Sequence, residues 1–277
     1  MSNLHIIATP IGNLKDISER AIETLTQADI VICENPKHSL KLLNNLGIKK
    51  KLISLHDYNE NIVIKKIEEN LNEKLIALIS DAGSPLISDP GYKLLQHCIK
   101  KNIKITTIPG PSAIIPALQL SGIPINEFFF AGFLPKTSKH VSDFINNISN
   151  LKQTSVFFIS SHKIIMCLDI INKFIPERNL SLSKEITKVN EKVFRGSAKE
   201  IKNEISKRTE NVKGEFVMVM EGKTVKNSDS DTMDIYDNEI KKLLSKFSLT
   251  DVVQIVHKLT GIKKNKVYKW VLSITKL

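Results

Sequence analysis

The chain has 277 residues, 42% of them hydrophobic and 25% charged. That balance excludes wholesale disorder and allows two globular domains of ordinary size. Forty Lys and Arg against 29 Asp and Glu give a net charge of +11, which favours a polyanionic partner. Cys33, Cys98 and Cys167 are far apart, and no Cys-x-x-Cys or Cys/His cluster accompanies them. Neither a disulfide framework nor a zinc site is expected, and a reducing, cytoplasmic setting fits.

In chain order, the opening residues Met1 to His5 do not read as a signal peptide. His5–Thr9, Asp29–Glu34, Lys51–Leu55, Leu75–Ser80 and Lys104–Ile108 are short apolar runs that predict buried strands. Between them, Ile17–Gln27, Ser39–Leu46, Asn59–Leu71 and Gly91–Lys101 predict helices. In the third, Ile62, Ile64, Ile67 and Leu71 form an apolar face against Lys65, Lys66, Glu68 and Glu69. Such alternation predicts a mainly parallel sheet covered on both sides. The segment Ile105 to Asn126 carries no charge, but Pro109, Pro111, Pro116 and Pro124 exclude a continuous membrane-spanning helix.

In the second half, Phe128–Phe133, Ser155–Ser160, Leu180–Glu185, Lys192–Arg195 and Glu215–Met220 predict strands. Helices are predicted at His140–Ile148, His162–Phe174 and Ala198–Thr209. The less regular spacing predicts a mixed sheet. The fold class is therefore α/β, with an N-terminal domain over 1–112, a second α/β domain over 113–224, a polar linker over 225–237 and a basic helical tail over 238–277. Asn238–Phe247, Asp251–Leu259 and Asn265–Ile274 are the helices expected in that tail. From Lys241 onward nine Lys face one acid, Asp251, so the tail holds +8 of the net charge. Lys263, Lys264, Lys266 and Lys269 beside Tyr268 and Trp270 are candidates for gripping RNA phosphates. Val267, Trp270, Val271 and Ile274 equally suit packing of the last helix, with Lys on its solvated side.

Ligands of open α/β sheets sit at the carboxyl ends of strands, so the loops there are the informative places. Ala8–Leu14 contains small residues and Gly12. Ser80–Gly91 follows a strand with two Asp, two Gly and two Pro in twelve residues, more than folding alone asks for. Pro109–Ala113 is a third small-residue loop, and it opens a helix. No Gly-x-Gly-x-x-Gly, no phosphate-binding Gly-x-x-x-x-Gly-Lys-Ser/Thr, no Gly-x-Ser-x-Gly and no His-Glu-x-x-His occurs. The ligand does not require phosphate cradling, and Asp81 is free to accept hydrogen bonds or to face a cation.

Ala8–Leu14 with Asp16-Ile17, Ser80–Gly91, Pro109–Ala113 and Ser121-Gly122-Ile123-Pro124 together resemble the tetrapyrrole methylase superfamily. Gly132-Phe133-Leu134-Pro135 resembles its ribosomal RNA small subunit methyltransferase I branch, as do Lys184–Lys188, Gly214–Val217 and Thr260–Asn265. The resemblance implies two α/β domains with S-adenosylmethionine in the cleft between them and no metal. It also implies 2′-O-methylation of a cytidine in the decoding region of 16S rRNA, by a homodimer. Carried over by position, Pro10, Asp81, Ser84, Ser112 and Ala113 line the cofactor pocket from the first domain, and Gly196 from the second. Glu34, Lys37 and His56 are the candidates for the catalytic or substrate face.

The chain departs from the family pattern in places. Where that pattern reads Glu-Asp-Thr-Arg, this chain has Glu34-Asn35-Pro36-Lys37; where it reads Glu-Ser-Pro-His-Arg, this chain has Ile159-Ser160-Ser161-His162-Lys163. Lys184 stands for another Arg. With four Arg in the whole chain, the Lys replacements fit a composition bias, although Lys loses the bidentate fork. Two alternatives to the active RNA methyltransferase stand, the first of them motivated by the carboxylates lost at 35 and 159. One is an RNA-binding or ribosome-assembly protein that keeps the cofactor site without catalysis. The other, within the superfamily, is a tetrapyrrole C-methyltransferase, which needs no basic tail.

Overall fold

A computed structural model describes residues 3–207, 212–223 and 236–275. The expected linker over 225–237 lies, except for its last two residues, outside them. Residues up to Lys223 belong to one compact unit, and those from Thr224 onward to a second.

The first unit contains two five-stranded sheets. Strands β1 (Leu4–Ile7), β2 (Ile30–Cys33), β3 (Lys51–Ser54), β4 (Ile76–Ile79) and β5 (Ile105–Ile108) pair in the order β3-β2-β4-β1-β5, parallel throughout. Alternate residues enter opposite cores: Ile30 and Ile32 pack with Leu4, Ile67 and Leu94, whereas Val31 and Cys33 pack with Leu25 and Leu43. This two-sided burial explains why the strands read as continuous apolar runs. The covering helices are α1 (Glu19–Gln27), α2 (Pro36–Asn45), α3 (Glu60–Ile67) and α4 (Tyr92–Lys100).

Two details of these helices differ from expectation. Helix α2 starts a turn earlier than Ser39, because Asn35 caps it and Pro36 takes the first helical position, where a missing N–H costs nothing. The buried stripe of α3 runs through Glu60, Val63, Ile64 and Ile67, while Ile62 is 68% exposed. A β-branched residue one position off the stripe is indistinguishable by composition from one on it.

Helix α5 (Ile114–Ser121) leads into the second sheet, made of β6 (Phe128–Phe133), β7 (Thr154–Ser160), β8 (Leu180–Lys184), β9 (Lys192–Gly196) and β10 (Glu215–Met220). Its order is β6-β7-β10-β8-β9, with β6 and β7 parallel and the other pairs antiparallel. The uncharged segment around Pro116 thus ends as a short helix, with Pro116 inside its first turn, where an N–H has no intrahelical partner. Among the described helices none is long and apolar enough to cross a membrane. One face of this sheet carries α6 (Ser138–Ser149), α7 (Ile164–Phe174) and α8 (Ala198–Ser206); the other carries α5, through Ile114, Ala117 and Leu118. Phe157 is fully buried and meets Phe144 edge-on, with ring centroids 5.3 Å apart. Phe157→Ala is expected to cost about 3–5 kcal/mol, read as a lower urea midpoint at unchanged slope.

The second unit has helices α9 (Asp237–Leu244), α10 (Leu249–Thr260) and α11 (Lys264–Thr275). Ile240, Val252, Val253, Val256, Val267, Trp270, Val271 and Ile274 form its own core. Gly261 ends α10 in the left-handed conformation, and the next turn is held by His257 Nδ1, 2.6 Å from the Ile262 carbonyl. The Trp270 indole donates to Asp237 Oδ1 at 2.8 Å.

Candidate functional site

The three loops singled out in the sequence meet at the carboxyl edge of the parallel sheet. Thr9 and Gly83 exchange main-chain hydrogen bonds of 2.8 and 3.0 Å, and Thr9 Oγ1 donates to the Ser80 carbonyl. Ser84 Oγ donates to the Pro111 carbonyl at 3.3 Å. A Cβ on Gly110 would stand 3.1 Å from that of Ala8, so the small residues are needed for the loops to close on one another.

Beside these loops lies a cavity of about 450 Å³. From the first sheet it is lined by Ile11, Ala82–Ser84, Ile87–Asp89 and Ser112–Ile114; from the second by Phe133, Phe158–Ser161, Ile186 and Gly214–Val217. Its size and make-up, apolar walls with a few hydroxyls and carboxylates, suit a nucleoside-sized ligand. Of the residues expected to hold the cofactor, Ser84, Ser112 and Ala113 line the cavity; Pro10, Asp81 and Gly196 do not belong to its lining. Pro10 precedes the lining residue Ile11. Gly196 ends β9, where a Cβ would meet the Glu200 carboxylate at 2.6 Å; that carboxylate completes the capping box of α8 with Ser197.

The rim over β2, β3 and β4 is acidic. Burial, then Glu34, and least Asp81, push the Asp89 carboxyl up to about 6, against an opposing hydrogen bond from Ser80. Glu34 is raised as well, by burial and by Asp81 and Asp57. Asp81 Oδ1 accepts from the Asn35 main-chain N–H at 3.2 Å. On the opposite wall, burial acts to raise the Glu185 carboxyl, but the N–H of Glu215 and the ammonium of Lys188 outweigh it and hold the group below the usual range. Lys188 Nζ lies 3.2 Å from Glu185 and 2.8 Å from Glu215. A Cβ on Gly12 would come within 2.4 Å of Lys188 Cγ, so the first loop seats directly on this ion-pair group.

Glu34, Lys37 and His56 are exposed and follow β2 and β3; none of the three lines the cavity. Lys37 gives its main-chain N–H to Asn35 Oδ1, and His56 gives its own to Asn59 Oδ1. Asn35 is therefore the cap of α2, a position that Asn and Asp fill about equally well. Asn35→Ala is expected to lower stability by about 1 kcal/mol, while Asn35→Asp keeps the cap and gives no large gain in activity; urea melts and methyl-transfer assays check the two. Ile159 is buried, packs into the core of the second sheet and contributes to the cavity wall. Lys163 is also buried, with Nζ on the Pro135 carbonyl at 3.0 Å, so its amine fixes a neighbouring loop. In the second unit Lys263, Lys264, Lys266 and Lys269 are exposed around the start of α11, opposite the buried Val267, Trp270 and Val271.

Sequence reasoning quoted Asp89 within its loop but gave it no role. Ser160, Ser161 and Gly214 stand in family motifs without an assigned role, and Phe158 has no signal at all. Asp89 had a signal, a carboxylate among small residues at a strand end. The others come from the second sheet, and only its placement against the first brings them to the cavity.

Two α/β sheets with a cavity between their loops, and small residues against one wall, define an α/β protein with a nucleoside-sized ligand site. Residues 3–202 match the family model of the tetrapyrrole (corrin/porphyrin) methylases. The chain belongs to this methyltransferase family. It is 38% identical over 275 residues to the ribosomal RNA small subunit methyltransferase I of Haemophilus influenzae, covering 98% of this chain and 96% of that one. The protein of the same name from Escherichia coli O157:H7 is 35% identical, over 98% of this chain and 94% of the relative. Among solved structures, diphthine synthase aligns with a TM-score of 0.63 at 16% identity, over 81% of this chain and 91% of that one. A uroporphyrin-III C-methyltransferase from Thermus thermophilus aligns with a TM-score of 0.55 at 15% identity, over 80% and 94%. At such identities the structures speak for the fold alone.

Proposed function

We propose that the protein methylates the 2′-oxygen of a cytidine ribose in the decoding region of 16S rRNA, in the cytoplasm, using S-adenosylmethionine and no metal. The observation that carries this reading is the 38% identity with a ribosomal RNA small subunit methyltransferase I over 98% of the chain, a span that includes the basic C-terminal helices. When bound, S-adenosylmethionine supplies an electrophilic methyl group on a sulfonium.

The chain's own residues would act as follows. Ser84, Ser112 and Ala113, with main chain from the Pro10 and Asp81 loops and from Gly196, hold the cofactor. Phe133, Phe158 and Val217 exclude water from it. A ribose hydroxyl is a poor nucleophile, so a carboxylate should take its proton. Two carboxylates line the cavity among the described residues, Asp89 and Glu215. Glu215 is engaged by Lys188, which leaves Asp89, whose raised pKa suits a general base. Glu34, Lys37 and His56 sit on the neighbouring rim, where they would meet the RNA. Lys263, Lys264, Lys266 and Lys269 would neutralise phosphates. The exposed Phe128, Phe129 and Phe133 on the edge strand β6 offer apolar surface for a homodimer.

Neither altered motif opposes this reading, since Asn35 works as a helix cap and Ile159 as a buried apolar residue of the cavity wall. The test is incubation with labelled S-adenosylmethionine and undermethylated 30S subunits, with the label mapped on the RNA. Label on one cytidine ribose is expected; cofactor binding without transfer would instead favour a non-catalytic assembly protein.

A further inference from the structure

Helix α4 begins without a cap of its own. Its N-cap residue is Gly91 at φ 122°, and no side chain there accepts a hydrogen bond. A side chain is not admissible, because a Cβ would stand 3.0 Å from Leu86 Cδ2 and 3.1 Å from Leu78 Cδ2. The amides at this helix start are satisfied from another element. Glu60, the first residue of α3, accepts from Gly91 N at 3.3 Å with Oε1, and from Lys93 N at 2.8 Å and Leu94 N at 3.2 Å with Oε2. Its side chain is buried, with the residue 4% exposed, and it forms no ion pair among the described residues. Three charge-assisted hydrogen bonds and the positive end of a helix compensate this carboxylate.

What the clamp restrains is the loop that walls the cavity. Leu86 and Ser88 have φ of 73° and 69°, strained for residues with a Cβ, and such strain persists only where the surroundings over-determine it. Asp89 follows immediately, pressed against Glu34 and Asp81 of like charge. Both effects act to open the loop, and its far end is tied to Glu60. The tie is itself anchored: Asn59 accepts from His56 N at 2.8 Å and donates to the Ser54 carbonyl at 3.0 Å. The loops after β3 and β4 are thereby linked through one chain of hydrogen bonds.

We infer that Glu60 is a positioning residue for the cavity, holding Ile87, Ser88 and Asp89 on its wall through the start of α4. The inference rests on the reading that the cavity takes S-adenosylmethionine. It is tested with the full chain as wild type, Glu60→Gln, and Leu25→Ala, a core truncation on α1 that destabilises without touching the loop. Glu60→Asp, which withdraws the oxygens by one methylene, is the milder second variant should the amide not fold.

In cofactor-free protein, amide exchange at Lys93 and Leu94 is expected to accelerate at least about tenfold in Glu60→Gln, the effect of one lost charge-assisted hydrogen bond. The dissociation constant for S-adenosylmethionine should rise by a similar factor. As Asp89 leaves its buried place beside Glu34 and Asp81, its titration should fall from about 6 toward about 4. Leu25→Ala should lower the melting temperature and leave all three readouts in place. Unchanged exchange and affinity in the Glu60 variants, beside tight wild-type binding, would overturn the role of Glu60 alone. Failure of the wild type to bind S-adenosylmethionine would overturn the functional reading, while the exchange arm still decides whether the clamp exists.

Discussion

Asp89→Asn is expected to lower methyl transfer to small-subunit RNA by about 10²- to 10⁴-fold, the range of a lost general base, with the fold intact. The wild-type rate should fall as pH drops through about 6, the value to which burial and the neighbouring Glu34 and Asp81 raise this carboxyl, and the variant should lose that limb. The stability consequence has the opposite direction. A carboxyl raised in the folded state binds more protons there than in the unfolded chain between about pH 4 and pH 6, so stability declines as pH rises through that window. At pH 7 Asp89 therefore costs the fold something, and Asp89→Asn should melt at or above the wild-type temperature. Below pH 4, where both forms are neutral, the difference should vanish. A lower melting temperature at pH 7, or an acid limb that survives the substitution, would remove Asp89 from the role.

The combined Lys263→Ala, Lys264→Ala, Lys266→Ala and Lys269→Ala change should weaken binding to undermethylated 30S subunits by about 10² or more near 0.1 M salt. It should also flatten the dependence of log K on log salt by up to about 3 to 4, because each phosphate contact contributes nearly one unit to that slope. The four side chains are exposed, while Val267, Trp270, Val271 and Ile274 carry the core of the unit, so its helices should melt as before. Cofactor affinity should not move. An unchanged salt slope would assign the four Lys to solvation of a packed helix, the other use their spacing allows.

Much of the architecture was legible in the chain. Continuous apolar runs such as Ile30–Cys33 and Ile76–Ile79 declare strands buried on both faces, because a parallel sheet has no solvated side. The irregular second half declares a mixed sheet for the same kind of reason. Helix starts are less legible: the pattern starts α2 three residues late, since Asn35-Pro36 reads equally as a turn, and it puts Ile62 on a buried face that in fact runs through Val63. The loops carrying Ser84, Ser112 and Ala113 announced themselves because closely packed main chain tolerates only small side chains, and that requirement is visible in composition.

The sequence by itself thus determined the two sheets, their order of strand and helix, the edge at which a ligand would lie and the family. Tertiary structure alone decided which residues share the cavity. Ser160, Phe158 and Gly214 lie more than a hundred residues from Ile11, and although Ser160 and Gly214 fall in family motifs, nothing local places them at this ligand. Asp89 had its residue type in view, but its perturbed titration arises from burial, from Glu34 on another loop and from Asp81 at the start of its own. Glu60, a charged residue in an ordinary amphipathic pattern, became a buried clamp only when α4 was laid beside α3. Local pattern reports what a segment buries; Coulomb repulsion, strain and capping across elements depend on distances that only the folded chain sets.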